Sequence, residues 1–265
     1  ALPNAWKYYR SPKPHSPAAF TELYKNDRVQ SHQDPCITFL GVWDTVGSLG
    51  IPGSLLAASN KEKFAFHDTT PSPFVKHAVY ALAIDEHRHD FTPTFWTGEV
   101  PAGAAIQQVW FAGAHSDVGG GYPEDESGPS KFPLIWMLEQ AKAAGLHMDQ
   151  ALIDHLAWGL PLPPHSHEYV PPSATAPLHN SLTGAWEILE WIPKSDKWKE
   201  WPARKSVLGF YLPRGEPRPI PEGATIHASV LERIEQVPTY RPINLPKSYQ
   251  VEPMTPPPAP PTPIA

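Results

Sequence analysis

Residues 105–122 read AIQQVWFAGAHSDVGGGY, an apolar segment that runs directly into a glycine-rich turn. Its first part, Ala105–Gly113, is predicted to form a β-strand. A second such segment, CITFLGVWD at Cys36–Asp44, is nearly continuously apolar and also ends in a turn. Apolar runs without alternation are typical of strands buried on both faces of a parallel sheet. The two segments therefore predict an α/β fold with parallel central strands, and we expect them to pair with each other.

Helices are predicted between and after these strands. Apolar residues at helical spacing favour a helix over Ser72–Asp85, and Gly145 is expected to end a helix over Lys131–Ala144. Shorter helices are predicted at Asp149–Trp158 and around Ser229–Ile234. Because two strands are too few for a stable parallel sheet, the segment is interpreted as part of a larger sheet.

The composition excludes several classes of protein. The chain of 265 residues has a net charge of −6 and no run of basic residues, so a nucleic-acid partner is not expected. Its one cysteine, Cys36, cannot form an intrachain disulfide. No apolar run approaches the ~18 residues of a membrane span, and the first residues show no signal-peptide pattern. A soluble protein is predicted, and its compartment, cytoplasmic or exported, stays open.

Proline is unusually frequent, at 35 residues, which predicts long ordered loops between the helices and strands. Residues 253–265, PMTPPPAPPTPIA, are predicted to form a proline-rich tail without chemistry. Residues 1–252 are then predicted to form the folded unit.

Two polar residues directly follow the predicted strands. Functional side chains of open α/β sheets gather beyond the carboxyl ends of strands, which is where Asp44 and His115 lie. Asp44 could instead cap a turn, and the two interpretations are equally favoured. His115 could fix the glycine-rich bend by hydrogen bonds, with Asp117 holding the amides of Gly119–Gly121, although a functional role is favoured for it.

Three other clusters are weaker candidates. DEHRHDF at Asp85–Phe91 mixes acids, histidines and an arginine, but without metal-ligand spacing it is predicted to be a solvated or salt-bridged face. HSH at His165–His167 predicts no site. Tryptophans could form an apolar lip for an acyl chain or simply pack in the core: Trp186, Trp191, Trp198 and Trp201.

An acid and a histidine separated by 71 positions fit part of a serine-hydrolase triad, but the nucleophile is missing. Hydrolases of the α/β type place the serine in a G-x-S-x-G elbow, and the sequence contains none. Ser48, Ser54 and Ser130 lie near glycines without forming an elbow. Ser116 directly follows His115 in sequence, and neighbouring side chains on a bend diverge, so it is a poor nucleophile for that base.

Five motifs, in order, carry a family resemblance: FLGVWDTVGSLG, HAVYALAIDEHRHDFTPTFW, VWFAGAHSDVGGGY, HNSLTGAWEIL and YRPINLP. Together they resemble an α/β-hydrolase family, formerly a domain of unknown function, that forms the catalytic domain of type VI secretion phospholipase effectors. The resemblance extends from about residue 1 to residue 246. It implies a serine esterase or lipase that cleaves acyl bonds in phospholipids, with no cofactor or metal and with a lipid or other ester as substrate.

The resemblance also implies roles for individual residues. Asp44 matches the acid of the family's DTVG motif, and His115 matches the general base, with Asp117, Thr45 and Gly119 as supporting residues. The family's GFSRGA-type elbow precedes the part that this sequence matches. The nucleophilic serine and the oxyanion-hole amides are therefore expected outside this chain, in a segment or separate chain that completes the fold. The 265 residues alone are expected to be nearly inactive.

Two alternatives to a serine ester hydrolase remain open. The chain could be an inactive remnant that serves as a binding module, or a metal-assisted hydrolase that uses Asp44, His115 and Asp117. The metal alternative requires all three side chains to lie within about 4 Å of one point. The triad hypothesis predicts a hydrogen bond between His115 Nδ1 and the Asp44 carboxylate. Peripheral contact with a membrane is compatible with a lipid substrate.

Overall fold

The computed structural model describes residues 37–46, 72, 74–196, 199, 201 and 204–259. The strands are β1 (Ile37–Trp43), β2 (Val75–Ala83), β3 (Ala105–Phe111), β4 (Lys194–Ser195), β5 (Phe210–Tyr211), β6 (Thr225–His227) and β7 (Gln250–Glu252). The helices are α1 (His115–Gly119), α2 (Lys131–Ala143), α3 (Gln150–Trp158), α4 (Ala185–Leu189) and α5 (Ala228–Gln236). Short 3₁₀ turns lie at His89–Phe91 and Glu124–Glu126.

Five strands form one parallel sheet in the order β1-β2-β3-β6-β7. Strands β4 and β5 form a separate antiparallel pair. The prediction of an α/β fold with parallel central strands is confirmed. The expected direct pairing of the two sequence-predicted strands is wrong, because β2 lies between β1 and β3 and pairs in parallel with both.

The predicted helix over Ser72–Asp85 is also wrong, because this segment contains β2. Its side chains alternate between two cores: Val79, Ala81 and Ala83 face one, while Tyr80 and Leu82 face the other. A central strand buried on both faces is apolar at every position, so its periodicity cannot distinguish it from a buried helix. The strand supplies the neighbour that the two predicted strands lacked.

Helices cover both faces of the sheet. Trp136 and Met137 of α2 pack with the β2 and β3 side chains on one face. Val230 of α5 packs with Ile226 and Trp110 on the other. The predicted helices over residues 131–144, 149–158 and 229–234 are observed as α2, α3 and α5, with ends that differ by one or two residues. Because all five strands are parallel, their carboxyl ends lie along one edge of the sheet.

The proline-rich tail is described as far as residue 259. Met254, Thr255 and Pro257 line a cavity of about 310 Å³ together with Trp158 and His227. The first part of the predicted tail therefore packs on the folded unit, directly after β7. The division of the chain at residue 252 stays a prediction.

Candidate active site

The carboxyl ends of the first three strands bring together residues that are distant in sequence. Asp44 follows β1, Asp85 and Glu86 follow β2, and His115 begins the short helix after β3. The backbone amide of Ala83, the last residue of β2, donates a hydrogen bond of 2.8 Å to Asp44 Oδ1. Strand β2 thus lies between the two strands that carry Asp44 and His115 and contacts Asp44 directly.

Asp44 and His115 form a direct pair. His115 Nδ1 lies 2.7 Å from Asp44 Oδ2, the geometry that the triad hypothesis predicts. The Asp44 carboxylate is fully buried, whereas 30% of the His115 side chain is exposed. Because an ionised carboxylate only accepts hydrogen bonds, we assign the proton to Nδ1. Nε2 accepts no hydrogen bond from the part of the chain that the structure describes, and its lone pair is available to a reacting group.

Arg218 anchors the same carboxylate from the opposite side. Its Nη1 donates to Asp44 Oδ1 at 2.6 Å and its Nη2 donates to Oδ2 at 3.0 Å. The remaining hydrogens of the two Nη groups bind the carbonyl oxygens of Ala83, at 3.0 Å, and of Phe91. Burial acts to raise the pKa of Asp44, but the charge of Arg218 and the hydrogen bonds outweigh it and hold that pKa below its usual range.

The backbone turn at Asp44 is strained. Asp44 has a φ of 40°, in the left-handed region that few residues other than glycine adopt. The next residue, Thr45, fixes the turn, because its carbonyl oxygen accepts a 2.6 Å hydrogen bond from the Tyr80 hydroxyl. The Thr45 hydroxyl donates back to Tyr80 at 2.9 Å. Burial raises the pKa of Tyr80 to about 12, so this hydroxyl stays protonated and donating at neutral pH.

Glu86 organises the other side of His115. This carboxylate is fully buried and accepts a hydrogen bond of 3.2 Å from the His115 amide and one of 2.9 Å from the Ser181 hydroxyl. Arg88 donates to it from its amide, its Nε and its Nη2. Burial tends to raise the pKa of Glu86, yet the Arg88 hydrogen bonds and charge lower it overall. The carboxylate therefore holds the first residue of α1 in place.

Glu86 and Arg88 come from the DEHRHDF stretch, which was predicted to be a solvated or salt-bridged face and forms ion pairs in the structure. Glu86 and His89 are buried, and Asp90 forms a 2.6 Å ion pair with Lys194. The alternative prediction of a salt-bridged face holds for these ion pairs. The physical reason is that the stretch follows the central strand β2 and must cross the carboxyl edge of the sheet, where each charge acquires a partner.

Aromatic side chains border the exposed part of His115. Phe91 meets the His115 ring edge-on, with 5.1 Å between ring centroids, and meets Trp186 of α4 at 5.2 Å. The Arg88 guanidinium lies 3.4 Å from the centroid of the Phe91 ring. Of the four tryptophans considered in the sequence, Trp186 is therefore placed beside the site, and Trp198 lies outside the described residues.

Asp117 lies two residues after His115 on α1 and belongs to a different cluster. Its Oδ2 accepts the Ala114 amide at 3.0 Å, and its Oδ1 lies 2.6 Å from His179 Nδ1. Burial acts to lower the pKa of His179, but the carboxylates of Asp117 and Glu126 outweigh it and raise that pKa. The His179 ring also stacks on Tyr122 at 3.4 Å. Asp117 thus fixes the bend and holds the loop that carries His179.

The glycines of the bend have distinct roles. Gly113 has a φ of +117°, and a Cβ there would lie 2.3 Å from the Asp117 Cβ, so the close approach requires glycine. Gly119 ends α1 close to Trp43, whose Cβ would be 3.9 Å from an added Cβ. The bend itself folds into a short helix, where the sequence predicted only a turn.

The metal alternative finds no support in this geometry. Asp44 is bound by Arg218 and His115, whereas Asp117 is bound by His179. Among the described residues, no group of three or more His, Cys, Asp or Glu side chains could hold a metal ion. In the same part of the chain, none of the helices combines the length and the apolar character that crossing a membrane requires.

The structure defines the class of this protein. It is an α/β protein with a parallel sheet and a buried acid–histidine pair at the carboxyl edge of that sheet. The sequence profile of the family described as T6SS, phospholipase effector Tle1-like, catalytic domain matches residues 1–140. The chain belongs to this family, and the matched part includes both Asp44 and His115. None of the curated proteins or solved structures that were compared matches the chain.

Several residues of the site were not found by sequence reasoning. Arg218 and Ser181 lie beyond the matched part of the chain and outside helices and strands. Ser181 belongs to the HNSLTGAWEIL motif but was given no role, and no local pattern marks Arg218. Glu86 and Arg88 had a signal, because they directly follow an apolar run, but that run was assigned to a helix. Recognising β2 as a strand would have placed Glu86 at the same edge as Asp44 and His115.

Proposed function

We propose that this chain supplies the acid and the base of a serine ester hydrolase that cleaves acyl esters of phospholipids. Membership of a phospholipase effector family supports hydrolysis of phospholipid esters in general terms. The observation that carries the specific proposal is the 2.7 Å pair between His115 Nδ1 and the buried Asp44 carboxylate, with the His115 ring partly exposed.

The proposed reaction uses His115 Nε2 as general base. A serine Oγ attacks the ester carbonyl carbon while Nε2 takes the serine proton. The tetrahedral intermediate collapses, the alcohol leaves with the proton returned from Nε2, and water then hydrolyses the acyl-serine by the same steps. Asp44 keeps the imidazole oriented and stabilises it while it is charged. Arg218 in turn keeps Asp44 ionised.

The serine is proposed to come from a part of the fold outside this sequence, since the 265 residues contain no G-x-S-x-G elbow. Among the described residues β1 is an edge strand, and Ile37 and Trp43 on it stay 47% and 36% exposed. An apolar edge of this kind favours a further strand beside it. We accordingly propose that the chain alone hydrolyses esters negligibly.

The test uses the native protein that contains this sequence, labelled with a fluorophosphonate and assayed on phospholipid vesicles. We expect one labelled serine, and we expect His115→Gln to abolish both labelling and hydrolysis. The matched control is His167→Gln, at an exposed histidine whose ring lies 4.5 Å from that of Tyr169. Full labelling of the His115→Gln protein would contradict the assignment of the base. No labelling of the wild-type protein would instead favour the binding-module alternative.

A further inference from the structure

One surface next to the candidate active site is both apolar and basic. Five large apolar side chains are exposed on α4, just after it, and on the turn that leads into β5. Their exposed fractions are Ile188 69%, Trp191 60%, Val207 70%, Leu208 94% and Phe210 54%. A concentration of exposed apolar residues in one region marks an interaction site. We refer to these five residues as the α4–β5 face.

The turn of this face presents its leucine under backbone strain. Val207 and Phe210 bind each other through two backbone hydrogen bonds of 2.8 and 3.0 Å, with Leu208 and Gly209 between them. Both central residues have positive φ, 51° for Leu208 and 79° for Gly209, as in a type I′ turn. Asparagine or glycine suits the Leu208 position, and leucine is disfavoured there. The leucine is therefore held outward at a cost to the local backbone, which favours a functional reason for it.

The charge of this region is opposite to that of the chain. Between residues 194 and 214 the sequence has six lysines and arginines and two acidic residues, in a chain whose net charge is −6. Lys194 and Arg204 are paired with Asp90 and Glu216. Lys205 is exposed, and it contacts no acidic group within the part of the chain that the structure describes.

A groove borders the β5 part of the face. Its volume is about 600 Å³, and Arg204, Lys205, Val207, Phe210, Leu212 and Arg214 line it. The Arg214 guanidinium also lies 4.5 Å from the centroid of the Trp191 ring, so a cation of the groove contacts the other part of the face. Apolar side chains bordered by cations are complementary to the acyl boundary and the anionic headgroups of a lipid surface.

Helix α4 links the face to the candidate active site. Trp186 lies on α4 with Ile188 and contacts Phe91, which contacts the His115 ring, at centroid distances of 5.2 and 5.1 Å. We propose that the α4–β5 face docks the protein on an anionic lipid bilayer and so presents His115 to the membrane surface. The placement of His115 at the membrane for catalysis rests on the proposed function. Docking on the bilayer does not depend on it.

The test is co-sedimentation of the native protein with phosphatidylglycerol vesicles and with phosphatidylcholine vesicles. We expect binding to the anionic vesicles that weakens with added salt. Leu208→Asn suits the turn and removes the apolar contact, so it should lower the vesicle partition coefficient at least about tenfold while the protein stays folded. Lys205→Glu should lower it about tenfold. The matched controls are Leu146→Asn and Lys247→Glu, both at exposed positions elsewhere, and both should bind like the wild type.

Two further readouts separate docking from catalysis. Hydrolysis of a monomeric short-chain ester should be unchanged in Leu208→Asn, while hydrolysis of vesicles falls with binding. The His115→Gln protein should still bind vesicles, so failure of the catalytic proposal leaves the docking result readable. Equal binding by Leu208→Asn and the wild type, or no binding to anionic vesicles, would overturn the proposal. A dimer that Leu208→Asn dissociates, without any change in vesicle binding, would make this face an interface between copies instead.

Discussion

Replacing Arg218 tests whether the buried arginine keeps the acid of the pair ionised and oriented. Arg218→Met removes both charge-assisted hydrogen bonds to Asp44 and the hydrogen bonds to two backbone carbonyl oxygens. Breaking a buried ion pair on one side costs about 3–5 kcal/mol of unfolding free energy. Arg218→Lys keeps the charge, but the ammonium group has three donors where the two Nη groups of Arg218 make four hydrogen bonds. We expect it to cost about 2 kcal/mol, roughly one hydrogen bond to a charged group.

The destabilisation by Arg218→Met should depend on pH, with a sign that follows from the pKa of Asp44. The pKa of Asp44 is lowered in the folded protein, so the stability that its ionised form contributes is present above the unfolded pKa and is lost as the pH falls through the folded pKa. Without Arg218, burial is no longer outweighed and the pKa of Asp44 rises. The destabilisation by Arg218→Met should therefore be largest at neutral pH and should shrink below about pH 4.

The assay combines urea unfolding between pH 3 and pH 8 with the pH profile of kcat/KM on a soluble ester, using the native protein. We expect Arg218→Lys to lower kcat/KM by about 10–100-fold, since 1.4 kcal/mol is a factor of ten, and to move the acid limb to higher pH. The matched control is Arg233→Lys. Arg233 is a second buried arginine, whose Nη1 donates to the carbonyl oxygens of Ala174 and Ala176. The Arg233→Lys protein should be less stable, but its pH profile of kcat/KM should match that of the wild type. Identical pH profiles for Arg233→Lys and Arg218→Lys would refute the role of Arg218.

Three smaller predictions concern the scaffold. Gly113→Ala should lower the unfolding free energy by more than about 2 kcal/mol, because its Cβ would lie 2.3 Å from the Asp117 Cβ at a positive φ; unchanged urea unfolding would contradict this. Burial lowers the pKa of His227 to about 4, so the wild type should lose about 3 kcal/mol as the pH falls from 6.5 to 4. His227→Asn keeps an N-cap acceptor and should flatten that slope. Trp136→Phe removes the 2.9 Å hydrogen bond from Nε1 to Glu252 and should cost about 1 kcal/mol, measured by thermal unfolding.

The fold class could be read from local patterns because it depends on them. Two unbroken apolar runs, each followed by a polar turn, are sufficient to predict buried parallel strands, and both strands are present as β1 and β3. The third apolar run, β2, could not be assigned from its local pattern. Its apolar residues satisfy both helical and strand periodicity, and only its packing between β1 and β3 makes it a strand. Local propensity is a weak signal that tertiary packing overrides.

The same division applies to the site. The sequence by itself determined that an aspartate and a histidine follow two strands of one parallel sheet, because strand ends carry functional side chains whatever the rest of the chain does. Only the tertiary structure decided that Asp44 is held by Arg218, 174 positions away, and that Glu86 holds the His115 amide. The structure also shows that Asp117 binds His179 and is not part of the Asp44–His115 pair. Buried charges require partners, and which distant residue supplies each partner depends on how the loops cross the sheet edge, which no local pattern encodes.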